Sequence, residues 1–121
     1  MTTTPTRPRY NRGDVILVLY PNSDLRTAKL RPALVVQADN LHTGLPQLIV
    51  AMITTNLARA NHPSRIVIRR RTSAGRRSGL LTDSIVMTDN LATILETEID
   101  RVIGTLPMRA VNVALRYTLA L

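Results

Sequence analysis

The stretch TAKLRPALVVQ, Thr27 to Gln37, holds a strongly apolar run, Ala33 to Val36, introduced by an arginine set directly before a proline. A proline can open a strand, because its missing N–H breaks no ladder bond there. PALVVQ therefore reads as a strand beginning at Pro32, and the basic LRTAKLR ahead of it as a mobile loop. The stretch also raises a chemical question: what does a permanent cation at the threshold of a strand meet?

Outward from this strand, the chain alternates short apolar runs with polar connections. DVILVLY, from Asp14, reads as a buried strand closed by the turn signal PNSD at Pro21 to Asp24. After the loop ADNLHTGLP, QLIVAMITT reads as a third strand; LARANHPS is a second polar loop, and RIVIRRR alternates before ending in charge. TSAGRRSG reads as a connector, LLTDSIVMTD as a strand interrupted near Asp83 and Ser84, and ATILETEIDRVIGTL as short strands or a turn. In LPMRAVNVALRYTLAL, Met108, Val111, Leu115 and Leu119 recur at spacings of three and four, one stripe of a helix, with Pro107 suited to its first turn. Several short strands followed by one closing helix predict a small twisted β-barrel with the helix packed on it.

With 121 residues, the chain fits one domain, expected over 12–121 behind a loose arm at 1–11. Hydrophobic residues make up 45%, and with three Tyr and no Phe or Trp the core must be aliphatic. The net charge is +8, and every basic residue except Lys29 is arginine, whose planar fork suits phosphate; the partner expected is a polyanion or an acidic protein. The absence of cysteine excludes disulfides and thiolate metal sites. No apolar run is long enough for a signal peptide core or a membrane span, so a cytoplasmic protein with no membrane contact is expected.

Most catalytic patterns are missing. His42 and His62 stand alone in polar loops, which predicts no protein-held metal. There is no G-x-S-x-G elbow and no phosphate-binding G-x-x-x-x-G-K motif, and the eight acids are scattered. Arginine, threonine and backbone remain. Arg31 stands where the second strand begins, and Thr54–Thr55–Asn56 where the third ends. If these strands are antiparallel neighbours, Arg31 and Thr54 share one sheet edge, and a cation beside a hydroxyl can hold a phosphate through charge-assisted bonds. Ordinary strand-end roles account for the same residues.

The frame NRGDVILVLYP, LRPALVVQ, LIVAMITTN, GLLTDSIVMTDNLATI, RVIGTL, ALRYTLAL resembles the MazF/PemK family of toxin endoribonucleases over nearly the whole chain from Arg12. The motifs that carry this are the RGD-apolar opening, the RP-apolar strand, the strand ending in I-T, and the late segment before a strand ending in IG. The resemblance implies an SH3-like barrel with a C-terminal helix, and a homodimer. It implies cleavage of single-stranded RNA without metal or cofactor, and an acidic antitoxin of the MazE/PemI type as partner. It also implies that Arg31 and Thr54 form the catalytic pair, so that the cation meets the scissile phosphate.

Arg26, Lys29, Thr55 and Asn56 flank that pair and are RNA-binding candidates. Arg69 and Arg70 with Arg76 and Arg77 could form a lane for phosphates or a seat for the antitoxin tail. Tyr20 is a platform on which a base could stack. Arginine does not give up its proton readily, so the general base stays open among His42, His62, a carboxylate and solvent. Some relatives carry an acid in the loop before the arginine; here Arg26 stands at about that place and Asp24 is displaced from it. Two alternatives stay open: a non-catalytic binder of a topoisomerase, like the barrels of CcdB type, and a degenerate member that keeps only RNA or antitoxin binding.

Overall fold

The computed structural model describes residues 9–121. Six strands form one antiparallel sheet: β1 (Asp14–Pro21), β2 (Ala28–Val35), β3 (Gln47–Thr54), β4 (Arg65–Ile68), β5 (Ser84–Leu95) and β6 (Ile99–Thr105), in the spatial order β4-β5-β3-β2-β1-β6. Helix α1 (Ser73–Ser78) lies between β4 and β5, and α2 (Arg109–Leu119) closes the chain. The sheet is barrel-like but not closed. Residues 1–8 of the expected arm lie outside the described residues, and Tyr10, within its range, is buried against the core.

Strand alternation sorts the side chains onto two faces. Ile16 and Val18 of β1, Ala33 and Val35 of β2, Leu48, Val50 and Met52 of β3, and Ile94 of β5 make one cluster. Val15, Leu34, Ala51, Ile53 and Val86 project the other way and join Val111 of α2. Both faces of the central strands are thus buried, which is why their sequences read as continuous apolar runs rather than alternations.

Four features differ from the sequence expectation. First, β2 begins at Ala28, not Pro32, so half of the expected loop is strand. Ala28 to Arg31 pair with Pro21 to Val18, and the hairpin closes with Asn22 N–H donating to the Thr27 carbonyl at 2.8 Å. The β1 backbone imposes this; the polar composition of LRTAKLR could not reveal it. Pro32 keeps its tolerated place, because β3 joins β2 only from Ala33 onward.

Second, β5 starts only at the expected interruption, residues 80–83 ahead of it being outside any strand, and then runs unbroken from Ser84 to Leu95, through Asp89. Its irregularity lies further on: while β3 advances from Ala51 to Ile53, β5 runs from Leu91 to Val86, so the segment around Met87–Asn90 bulges. Bulges of this kind bend a strand, and here the bend separates the β4-paired half from the rest.

Third, the connector at 72–79 contains a helix. Thr72 caps it by accepting Gly75 N–H at 3.0 Å, and Gly79 ends it at φ 74°, where a side chain is disfavoured. Fourth, Val111 and Ala114 are the buried residues of α2, with Leu115 packed beside them and Thr118 bonded to Thr88. Leu119, expected on that stripe, is 49% exposed. One residue past Thr118, it lies about 100° further round the helix.

Candidate functional site

The register of β2 on β3 builds the site. Ala33 faces Met52, Leu34 faces Ala51 and Val35 faces Val50. Two further steps in the same register reach Arg31 and Thr54. Pairing stops before them, so the strands part there and leave a cleft of about 480 Å³. By alternation, Arg31 follows Ala33 and Val35, and Thr54 follows Val50 and Met52, onto the face of the first apolar cluster. The cleft is the open end of that cluster, so it has an apolar floor, Met52 and Met87, and a polar rim.

Both expected catalytic side chains line it and are half-buried. Arg31 Nη2 donates to Asn22 Oδ1 at 3.0 Å, while its Nε is buried with no hydrogen-bond partner among the described residues. A buried unsatisfied donor costs about 1–3 kcal/mol, a cost that an acceptor within its reach removes. Thr54 Oγ1 accepts the Asn56 N–H at 3.1 Å. A hydroxyl carries one proton, so the Thr54 proton stays available to donate. The arrangement offers a cation with a free N–H and a free O–H donor, and among the described residues no carboxylate pairs with either group.

Of the other expected residues, Tyr20, Lys29 and Thr55 line the same cleft. Asn56 lies in an adjoining concavity of about 200 Å³ that shares Thr54 and Met87 with the cleft and adds Arg59 and Arg65. Arg26 is exposed on the hairpin turn and does not line the cleft. Arg69, Arg70, Arg76 and Arg77 are not brought to it either. They surround α1, whose Ala74 packs on the second cluster, the other face of the sheet. Arg69 pairs with Asp83 at 3.2 Å, and Arg70 and Arg76 border a separate concavity of about 370 Å³. These arginines thus stay together around the helix at 73–78, on the opposite layer from the cleft.

Neither histidine lines the cleft. His42 borders a hollow with Tyr10 and Glu96, and His62 Nδ1 shares a hydrogen bond of 2.7 Å with Ser64 Oγ. Asp24, the nearest acid in the first loop, spends its carboxylate on the turn: it accepts the N–H groups of Thr27 and Arg26 and the Thr27 hydroxyl. Those backbone bonds, that from Thr27 first, hold its carboxyl below the usual range, which makes it a weak proton acceptor. Among the described residues, no three His, Cys, Asp or Glu side chains are grouped to hold a metal ion. Sequence reasoning missed Asn22, Asn90 and Arg59. Asn22 reads only as a turn residue, and Asn90 reaches the rim through the β5 bulge, which leaves no periodic signal.

The family described as PemK-like, MazF-like toxin of type II toxin-antitoxin system matches residues 11–119. Endoribonuclease MazF2 of Mycobacterium bovis is 33% identical over 107 residues, 85% of this chain and 90% of that protein. Endoribonuclease MazF6 of Mycobacterium tuberculosis has the same identity and coverage. Among solved structures, a mycobacterial endoribonuclease in complex with its cognate antitoxin superposes with a TM-score of 0.70 at 21% identity, covering 93% of this chain and 96% of that one. A MazE–MazF complex from Deinococcus radiodurans reaches 0.69 at 12% identity, with the same coverage.

Proposed function

Because the chain belongs to the PemK-like, MazF-like toxin family of type II toxin–antitoxin systems, we propose that it is an endoribonuclease that cuts single-stranded RNA at the Arg31–Thr54 cleft. The observation that carries this reading is the β2–β3 register, which aims a guanidinium and a hydroxyl from adjacent strands into one opening.

RNA supplies its own nucleophile. The 2′-oxygen attacks the neighbouring phosphorus as the 5′-oxygen leaves, producing a cyclic phosphate and a free 5′-hydroxyl. The protein has to align the phosphate and stabilise the extra negative charge of the phosphorane. Arg31 Nε and an Nη donate to its oxygens, and Thr54 Oγ1–H donates to a further one. Each preorganised donor of this kind is worth about 3 kcal/mol of transition-state stabilisation. Arg31 keeps its own proton throughout and acts as a clamp. With His42, His62 and Asp24 away from the cleft or engaged elsewhere, solvent takes the 2′-hydroxyl proton and supplies one to the departing 5′-oxygen.

Lys29 and Thr55 meet flanking phosphates, Tyr20 stacks a base, and Asn56 reads a base edge from the adjoining concavity. The arginines around α1, together with Arg26, meet RNA phosphates beyond the cleft. The protein works in the cytoplasm as a homodimer, and an acidic antitoxin covers the cleft. The test is incubation of purified protein with a long RNA in EDTA. Recurring cuts ending in cyclic phosphate, lost in Arg31→Ala with its fold intact, are expected. Intact RNA together with topoisomerase poisoning would establish the binder reading instead.

A further inference from the structure

We infer that Asn22 is a positioning residue, which holds the Arg31 guanidinium in its working orientation through a directed hydrogen-bond relay. This rests on the cleft reading above. The relay has only one consistent direction. Arg31 Nη2 donates to Asn22 Oδ1 at 3.0 Å, so the Asn22 amide nitrogen faces the other way and donates to Thr27 Oγ1 at 2.9 Å. The Thr27 hydroxyl has one proton, and it goes to the Asp24 carboxylate at 3.1 Å. The carboxylate is fixed in turn by the N–H groups of Arg26 and Thr27 at 2.9 and 3.1 Å. Each bond polarises the next, and the chain runs from a cation to an anion through two neutral groups.

That order has a chemical consequence. A carboxylate directly on Arg31 would orient it but compete with phosphate for its charge. An amide oxygen orients it and leaves the charge whole. The anion that terminates the relay sits two residues removed from the guanidinium. The turn therefore serves the cleft as well as the hairpin. A guanidinium released from this contact swings on a flexible stem, and small misplacements of a reacting group can cost about a hundredfold in rate.

The test uses Asn22→Ala and Asn22→Asp in the full chain, with single-turnover RNA cleavage, thermal melting and ¹⁵N spectra of the Arg31 guanidinium. Asn22→Ala is expected to lower the cleavage rate at saturating RNA about tenfold or more, and to merge the Arg31 Nη signals that restricted rotation separates in the parent. Asp suits the same turn, so a purely structural role predicts parental activity for Asn22→Asp. The relay predicts a loss, because the new carboxylate quenches the cation. Parental rates in Asn22→Asp, or Arg31 signals unchanged in Asn22→Ala, would overturn the inference. Should Asn22→Ala fail to fold, Asn22→Asp decides it alone. If the parent protein leaves RNA uncut, the nuclease reading falls, and the Arg31 spectra still decide whether Asn22 orients the guanidinium.

Discussion

Replacing Thr54 by valine removes one hydroxyl and almost nothing else. The side chains are nearly isosteric, and valine suits a strand at least as well as threonine. Two bonds are at stake. In the free protein, Oγ1 accepts the Asn56 N–H at 3.1 Å, on an exposed residue that water can serve instead, so the stability cost is at most about 1 kcal/mol. For a domain of this size, that is a fall of about 4 °C in melting temperature. In the transition state, the lost O–H donor is worth about 3 kcal/mol, or roughly a hundredfold in rate. Thr54→Ser retains the donor and should stay within about tenfold of the parent. The assay is single-turnover cleavage of a fluorogenic RNA at saturating protein, paired with thermal melts of all three proteins. A Thr54→Val rate within about threefold of the parent would refute the donor role of Thr54. A melting loss far beyond the small one expected would show that the hydroxyl serves the fold.

Arg31→Lys keeps the charge but loses the fork, so cleavage should fall by about a hundredfold or more with only a modest change in RNA affinity, measured by anisotropy at fixed salt. Gly79→Ala should be among the most damaging single changes. Its φ is +74°, and a Cβ there would lie 2.1 Å from the Ile103 carbonyl oxygen, so a loss of about 3 kcal/mol or more is expected in a denaturant melt. The Asp83 carboxyl is held below its usual range, first by the Arg70 N–H and then by the Arg69 side chain. A lowered carboxylate contributes stability above its unfolded value, near pH 4, and loses it as pH falls through the lower folded value. The stability gap between the parent and Asp83→Asn should therefore be full at neutral pH and close in acid, as followed by melting across pH.

The legibility of the chain varied by element. β1 and β3 were visible because burial on both faces gives uninterrupted apolar runs, and α2 because its apolar residues recur at helical spacing. α1 was hidden by composition, although Thr72 and Gly79 carried a readable cap at each end. The opening half of β2 was unreadable: Ala28 to Arg31 are held by β1, and nothing local marks them as strand. Arg31 and Thr54 could be nominated from strand ends alone, whereas Asn22, Asn90 and Arg59 could not.

Composition and apolar patterning alone determined an aliphatic, arginine-rich chain of short strands with a closing helix, since burial selects residue type position by position along the backbone. Tertiary structure decided which residues meet. It set the β2–β3 register that ends at Arg31 and Thr54, turned Asn22 onto the guanidinium, and placed the α1 arginines on the opposite layer. Register and layer depend on pairings between segments distant in the chain, and no local pattern encodes the partner of a strand.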